Sequence, residues 1–69
     1  MSEKNLYEQY LKKTVNVGIP NYIHKDRLFF ITGFVLDLDE NYVILKIKDG
    51  MRKIPYSDII EISVKKEFR

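Results

Sequence analysis

The stretch LFFITGFVLDLDENYVILKIKDGMRKIPYSDIIEISVK, residues 28–65, decides the fold of this chain. It divides into four runs rich in Val, Ile, Phe and Tyr, separated by the polar corner 37–41, the Asp49-Gly50 pair and Pro55. Runs of this composition bounded by turn residues are typical of β-strands. Asp-Gly between two such runs favours a tight hairpin, because glycine adopts positive φ without strain. We therefore predict strands over about 28–37, 42–48, 51–55 and 59–65.

The residues before this stretch predict one helix and one further strand. Four apolar residues recur at helical spacing and would share one face of the helix: Leu6, Tyr7, Tyr10 and Leu11. They predict a helix over about 2–13 that is marginal unless it docks on the sheet. Val15 and Val17 then alternate with polar neighbours, which predicts a strand over 14–18 that ends at Gly18. The expected fold is mostly β: an N-terminal helix followed by a bent five-stranded antiparallel SH3-like barrel.

The length and composition indicate one small domain with excess apolar surface. A chain of 69 residues fits a single domain, 1–69, and buries only about 60% of the surface that its unfolded form exposes. It contains no cysteine, so neither disulfides nor thiolate metal sites can stabilise it. Hydrophobic residues still make up 45% of the chain and aromatic residues 13%. We expect another copy of the chain or a protein partner to cover part of this surface.

The charge pattern excludes few functions. A net charge of +2, from 12 basic and 10 acidic residues, is too balanced to predict nucleic-acid binding by itself.

Residues 1–13 contain no apolar run of signal-peptide length, and no run elsewhere approaches the roughly 20 residues that span a bilayer. We expect a soluble, cytoplasmic protein without membrane association.

Both faces of the second strand are largely apolar, which suggests an interface. The aromatic cluster Tyr22, Phe29, Phe30 and Phe34 is too large for so small a core, and Ile60 and Ile62 belong to the last strand. We predict a subunit or partner interface formed by four residues: Phe30, Phe34, Ile60 and Ile62. The alternative is that the N-terminal helix simply covers the aromatic cluster.

The acidic corner has some features of a calcium loop. Asp37, Asp39 and Asn41 follow the D-x-D-x-N pattern with which an EF-hand loop begins. Such a loop also needs glycine where Tyr42 stands and glutamate where Lys48 stands. We therefore predict a solvated turn and no metal site.

The sequence offers no set of catalytic groups. His24 is the only histidine, and it lies beside Lys25 in a polar segment that we interpret as a hairpin loop. Without cysteine or a second histidine, one chain cannot assemble a nucleophile-base pair or a zinc site from these residues. We expect no enzymatic activity and no cofactor.

Three lysines of the third and fourth strands predict a basic patch. A hairpin with Asp-Gly at its tip would place Lys46 opposite Lys53, with Lys48 diagonal to them and with Tyr42 and Tyr56 nearby. Basic residues interleaved with aromatic ones suit single-stranded nucleic acid, because cations contact phosphates and rings stack on bases. The alternative is an ordinary solvated sheet face.

Six residues of the second and third strands have the spacing of the first Sm motif: Ile31, Gly33, Val35, Leu38, Asp39 and Ile44. The run 38–46, LDENYVILK, is similar in register to part of bacterial Hfq proteins, and Ile54, Ile59 and Ile62 fit the second motif. Most of the chain after its first ten residues thus resembles the Sm-like small barrels. The resemblance implies a barrel that closes into a ring when the fourth strand pairs with the fifth strand of a neighbour.

The base-binding positions of that family do not carry over. Val43 stands where Sm proteins have a base-binding Asn, and Asn41 stands where they have a stacking aromatic residue. Pro55 and Tyr56 replace the Arg-Gly pair, and Tyr56 and Ser57 replace the Lys-His pair of Hfq. The resemblance therefore assigns no binding residue.

These observations lead to two hypotheses of function. The first is a non-catalytic Sm-like barrel that forms a homo-oligomer and binds single-stranded RNA or another anionic partner through its basic, aromatic face. The second is a protein-interaction or structural module of the same fold, which docks a partner's strand or helix without nucleic acid. The missing base pocket and the surplus of aromatic residues motivate the second hypothesis.

Overall fold

The computed structural model describes residues 3–65. A short helix, α1 (Glu3–Tyr7), continues into one 3-10 turn (Glu8–Tyr10), and a second 3-10 turn (Tyr56–Asp58) precedes the last strand. The predicted helix over 2–13 begins outside the described residues. The five strands are β1 (Thr14–Pro20), β2 (Leu28–Leu38), β3 (Tyr42–Ile47), β4 (Gly50–Pro55) and β5 (Glu61–Val64).

All five strands belong to one antiparallel sheet in the order β4-β3-β2-β1-β5. The predicted N-terminal helix followed by a five-stranded antiparallel sheet is confirmed. The two edge strands, β4 and β5, are not paired with each other among residues 3–65. The sheet is therefore not closed into a barrel by hydrogen bonds, whereas the sequence pattern predicts a barrel.

Two strand ends differ from the prediction by two residues, each for an identifiable reason. β1 continues past Gly18 to Pro20, where the missing N–H of proline ends the ladder. β5 begins at Glu61 because the preceding 3-10 turn is closed by the N–H of Ile59, which donates to the carbonyl of Tyr56 at 3.1 Å.

The strand β2 changes partner in its middle, next to Gly33. β2 pairs with β1 up to Phe34 and with β3 from Phe34 onward. At Gly33 a Cβ atom would lie 3.0 Å from the carbonyl oxygen of Lys46 and 3.1 Å from Cγ2 of Ile47. Only glycine lets β3 approach β2 this closely without displacing backbone.

The core lies on one side of the sheet and draws on every strand except β5, with one tyrosine of the second 3-10 turn. Its buried members are Val15, Val17, Ile31, Val35, Leu38, Val43, Leu45, Ile54 and Tyr56. Val35 and Leu38 are an odd number of positions apart and would face opposite sides of a regular strand. A register shift between Val35 and Asp37 brings both of them into the core.

The helical segment docks through its tyrosines only. Tyr7 and Tyr10 pack against the core, whereas Leu6 and Leu11 are exposed, so half of the predicted apolar stripe is docked. The segment ends earlier than predicted because the chain turns at Lys12, whose φ is 62°. No helix within residues 3–65 is long and apolar enough to cross a bilayer.

The β3–β4 hairpin has a different register from the predicted one. Its two turn residues are Lys48 and Asp49, and Ile47 pairs directly with Gly50. Gly50 has a φ of 144°, whereas both turn residues have negative φ. The positive φ that requires glycine thus occurs at the first residue of β4, one position after the two-residue turn. The turn is therefore not the type I′ turn that Asp-Gly predicts.

Candidate functional site

Alternate residues of β3 and β4 form one exposed surface, which we call the outer β3–β4 face. Val43, Leu45 and Ile54 point into the core, so their neighbours along each strand point away from it. These outward residues are Tyr42, Ile44, Lys46, Met51 and Lys53. None of these residues of β3 and β4 is acidic, and the adjoining carboxylate on this side of the sheet is that of Asp37 on β2, which pairs with Ile44.

The two strand lysines of this face are diagonal neighbours and not an opposed pair. Lys46 pairs with Met51, and Lys53 pairs with Ile44, so the predicted opposition of Lys46 and Lys53 is wrong. Diagonal neighbours are separated by about 7–8 Å, which lowers their mutual repulsion. The shift by two residues keeps both lysines on the same face, because side chains alternate with a period of two.

One lysine is held over an aromatic ring of this face. Nζ of Lys53 lies 5.3 Å from the centroid of the Tyr42 ring, within the range of a cation–π contact. Tyr42 pairs with Pro55, two positions beyond Lys53, and the contact therefore crosses the strands diagonally. A cation and a half-buried ring are thus already together at this position.

The third lysine of the predicted basic patch does not lie on the outer β3–β4 face. One aromatic residue that the sequence does not place near the lysines adjoins this face. Lys48 is a residue of the exposed β3–β4 turn. Phe34, predicted as an interface residue, pairs with Lys46 across β2 and β3 and is half-buried. The sequence would show that Phe34 and Lys46 are neighbours only if the β2–β3 register were known. The bulge in β2 makes that register hard to predict.

Tyr56 is a structural residue and does not offer a free ring. It is only 4% exposed, and its ring stacks on Tyr7 with the centroids 4.9 Å apart. Its hydroxyl donates a hydrogen bond to the backbone carbonyl of Asp39 at 2.6 Å. Burial raises the pKa of this hydroxyl, and the carboxylates of Asp39 and Glu40 add to the effect.

The acidic corner uses its carboxylates locally. One oxygen of Asp37 accepts a hydrogen bond from the N–H of Leu38 at 2.8 Å, and one of Asp39 accepts from the N–H of Glu40 at 2.6 Å. Within residues 3–65 no group of three or more acidic, histidine or cysteine side chains is arranged to hold a metal ion. The corner is a turn stabilised by its own side chains.

An open cavity of about 390 Å³ lies between this corner and the helix. Its lining combines polar and aromatic residues: Glu3, Glu40, Asn41, Tyr42, Pro55, Tyr56 and Ser57. The carboxylates of Glu3 and Glu40 oppose an approaching phosphate. We therefore place no phosphate-binding role in this cavity.

No family model matches this chain. Searches of curated proteins and of solved structures also find no match. The helix and five-stranded antiparallel sheet are thus established by the structure alone, and the likeness to Sm-like proteins remains a prediction from motif spacing.

The four predicted interface residues have different environments. Phe30 is 55% exposed on β2, so the helix does not cover it, and Ile60 is exposed just before β5. Phe34 is half-buried beside Lys46, and Ile62 is half-buried and packs on the core opposite Val17. Of the four, Phe30 and Ile60 are the most accessible to a partner.

His24, the histidine considered above, lies exposed in the β1–β2 loop.

Proposed function

We propose that this chain is a non-catalytic, self-associating module of the Sm-like type that binds single-stranded RNA on its outer β3–β4 face. The observation that carries the proposal is the contact of Lys53 with the ring of Tyr42, with exposed Lys46 on the same face. A base can stack beside such a ring while the lysines contact the phosphates on either side of it. None of the outward residues of β3 and β4 is acidic, which supports the placement of the phosphates beside these lysines.

Self-association would multiply a site that is small in one copy. β4 and β5 end the sheet on opposite sides, and each presents the unpaired backbone groups of an edge strand. Pairing β4 of one copy with β5 of the next would satisfy these groups, as the Sm-like resemblance implies. Each added copy would bring another Lys46, Lys53 and Tyr42, and weak contacts would then act together on one RNA strand.

The RNA proposal is tested by anisotropy measurements with labelled oligouridylate and oligoadenylate at low and physiological salt. We expect salt-sensitive binding that is several-fold weaker in a Lys46→Gln, Lys53→Gln double variant. The matched control is Lys13→Gln, Lys65→Gln, which removes the same charge from exposed positions near the start of β1. Equal weakening in both double variants, or no binding by the wild type at low salt, would refute the assigned face.

Self-association is tested by light scattering after size exclusion. We expect a mass of several copies, reduced by Ile60→Lys, because this exposed residue adjoins the β5 edge. Leu6→Lys places the same charge on an exposed apolar residue of α1 and should leave the mass unchanged. A monomeric wild type at both low and high salt would overturn this part of the proposal.

A second candidate function is protein docking through the side of the sheet opposite the core, favoured by the exposed ring of Phe30. It predicts no RNA affinity in the wild type. It also predicts that Phe30→Ser weakens any complex with a protein partner that survives nuclease treatment, whereas the double lysine variant does not.

A further inference from the structure

A second cavity, distinct from the outer β3–β4 face, opens at the tip of the β1–β2 hairpin. It has a volume of about 260 Å³, and we call it the hairpin cavity. Its lining is mostly apolar and includes one cation: Ile19, Pro20, Asn21, Tyr22, Ile23, Phe29 and Arg52.

The hairpin cavity is the open end of the core. Ile19 and Phe29 pair across β1 and β2, on the same side of the sheet as buried Val17 and Ile31. Ile19 packs against the core, yet Phe29 remains 48% exposed. An apolar group entering the cavity would therefore extend the core by covering this ring.

The rim of the cavity exposes two large apolar side chains on a hydrogen-bonded loop. Tyr22 is 77% exposed and Ile23 is 86% exposed. The side-chain oxygen of Asn21 accepts hydrogen bonds from the N–H groups of Ile23 and His24, each at 3.0 Å, and the N–H of Arg27 donates to the carbonyl of His24. These contacts hold the loop in the conformation that presents both side chains to solvent.

The charge of the cavity lining and of the adjoining loop favours an anionic ligand. Arg52 lies on β4 opposite Leu45, and among residues 3–65 it forms no ion pair. The loop adds Lys25 and Arg27 against a single carboxylate, Asp26. A guanidinium beside an apolar wall can bind a carboxylate in a bidentate arrangement while the wall receives carbon atoms.

We infer that the hairpin cavity binds an acidic peptide segment of a protein partner, with one apolar side chain inserted and an adjacent carboxylate on Arg52. A nucleobase fits this lining less well, because its polar edge needs several hydrogen-bond partners. The wall offers mainly aliphatic and aromatic carbon, and the oxygen of Asn21 already accepts two backbone hydrogen bonds.

The test is an amide-detected NMR titration of the whole chain with a capped peptide, Glu-Glu-Phe-Asp-Glu. We expect saturable shifts at Tyr22, Ile23, Phe29 and Arg52, with affinity lowered several-fold by Arg52→Gln. Two control peptides, one with glycine for Phe and one with lysine for every acid, should bind much more weakly. Arg52→Gln alters an exposed side chain, so the variant should remain folded.

Several outcomes would overturn the inference. These are the absence of saturable shifts at millimolar peptide, equal binding of the lysine peptide, and unchanged affinity in Arg52→Gln. Competition by oligouridylate for the same amides would assign the cavity to RNA. Binding to phosphatidylglycerol vesicles without peptide binding would assign it to a membrane surface. The Lys46→Gln, Lys53→Gln variant should keep full peptide affinity, so the inference and the proposed function can fail separately.

Discussion

The ring of Tyr7 stacks on the ring of Tyr56, with centroids 4.9 Å apart and an angle of 11° between their planes. Tyr56 in turn donates its hydroxyl hydrogen to the carbonyl of Asp39. A single buried side chain thus joins the N-terminal helix, the β2–β3 corner and the 3-10 turn after β4. A helix this short is marginal by itself, so its docking depends on these tyrosines.

Removing the stacked ring of Tyr7 should undock the helix. We expect Tyr7→Ala to lower the free energy of unfolding by about 1–3 kcal/mol, because it loses both buried apolar area and the aromatic pair. Tyr7→Phe keeps the ring and should stay close to the wild type. Urea unfolding followed by circular dichroism measures both values. Equal destabilisation by the two substitutions would show that the hydroxyl, and not the stacking, holds the helix.

The hydrogen bond of Tyr56 should contribute separately from its ring. Tyr56→Phe removes the donor to Asp39 while keeping the buried ring, and we expect a loss of about 1 kcal/mol. The same unfolding assay applies, with Tyr42→Phe as the control, because Tyr42 lies on the outer β3–β4 face. A Tyr56→Phe variant as stable as the wild type would mean that water replaces the bond without cost.

The stability of the fold should fall at alkaline pH. Burial raises the pKa of both Tyr7 and Tyr56 above 10.0, and nearby carboxylates raise both further. Above about pH 10 the unfolded chain releases these protons while the folded chain retains them, so stability decreases as pH rises. Below that pH both states are protonated and this contribution is complete. Thermal unfolding across this range should show a shallower decline in Tyr7→Phe, and an unchanged decline would contradict the assignment.

Gly33 and Gly18 should differ in their tolerance of alanine. A Cβ at Gly33 would lie 3.0 Å from a backbone oxygen of β3, and we expect Gly33→Ala to cost about 1–3 kcal/mol. A Cβ at Gly18 would meet the ring of Phe30 at 3.0 Å, but that ring is largely exposed and can move. Gly18→Ala should therefore cost less. The reverse order in chemical denaturation would show that the close approach of β3 is not rigid.

The salt dependence of RNA binding should identify the lysine contacts. Each phosphate contact to a single strand contributes about 0.7 to the slope of log affinity against log salt, so losing Lys46 and Lys53 should reduce it by about 1.4 per copy engaged. The Lys13→Gln, Lys65→Gln control should keep the wild-type slope. A slope unchanged in the test variant would mean that the phosphates lie elsewhere.

The strand pattern could be predicted because it depends on neighbouring residues. Alternation at Val15 and Val17 and at Val43 and Leu45 marks core-facing positions, and all four are buried. The helix was predicted too long, because spacing cannot distinguish apolar residues that dock from those, such as Leu6, that remain exposed. That difference depends on the surface that the sheet presents.

The candidate site was predicted in part. The prediction that Lys46 and Lys53 share a face holds although the predicted register is wrong. The register differs by two residues, and such a shift leaves side chains on the same side of the sheet. The contact of Lys53 with Tyr42 and the burial of Tyr56 did not follow, because they depend on the actual register and on the helix that covers Tyr56.

The sequence by itself determined the number of strands and their order along the chain, because these follow from local propensity and side-chain alternation. Only the tertiary structure decided the hairpin register, the open edges of β4 and β5, and the placement of Arg52 and the β1–β2 loop around one cavity. These features depend on how a bent sheet brings distant segments together, and the free energy of that packing is shared among residues that are far apart in the chain.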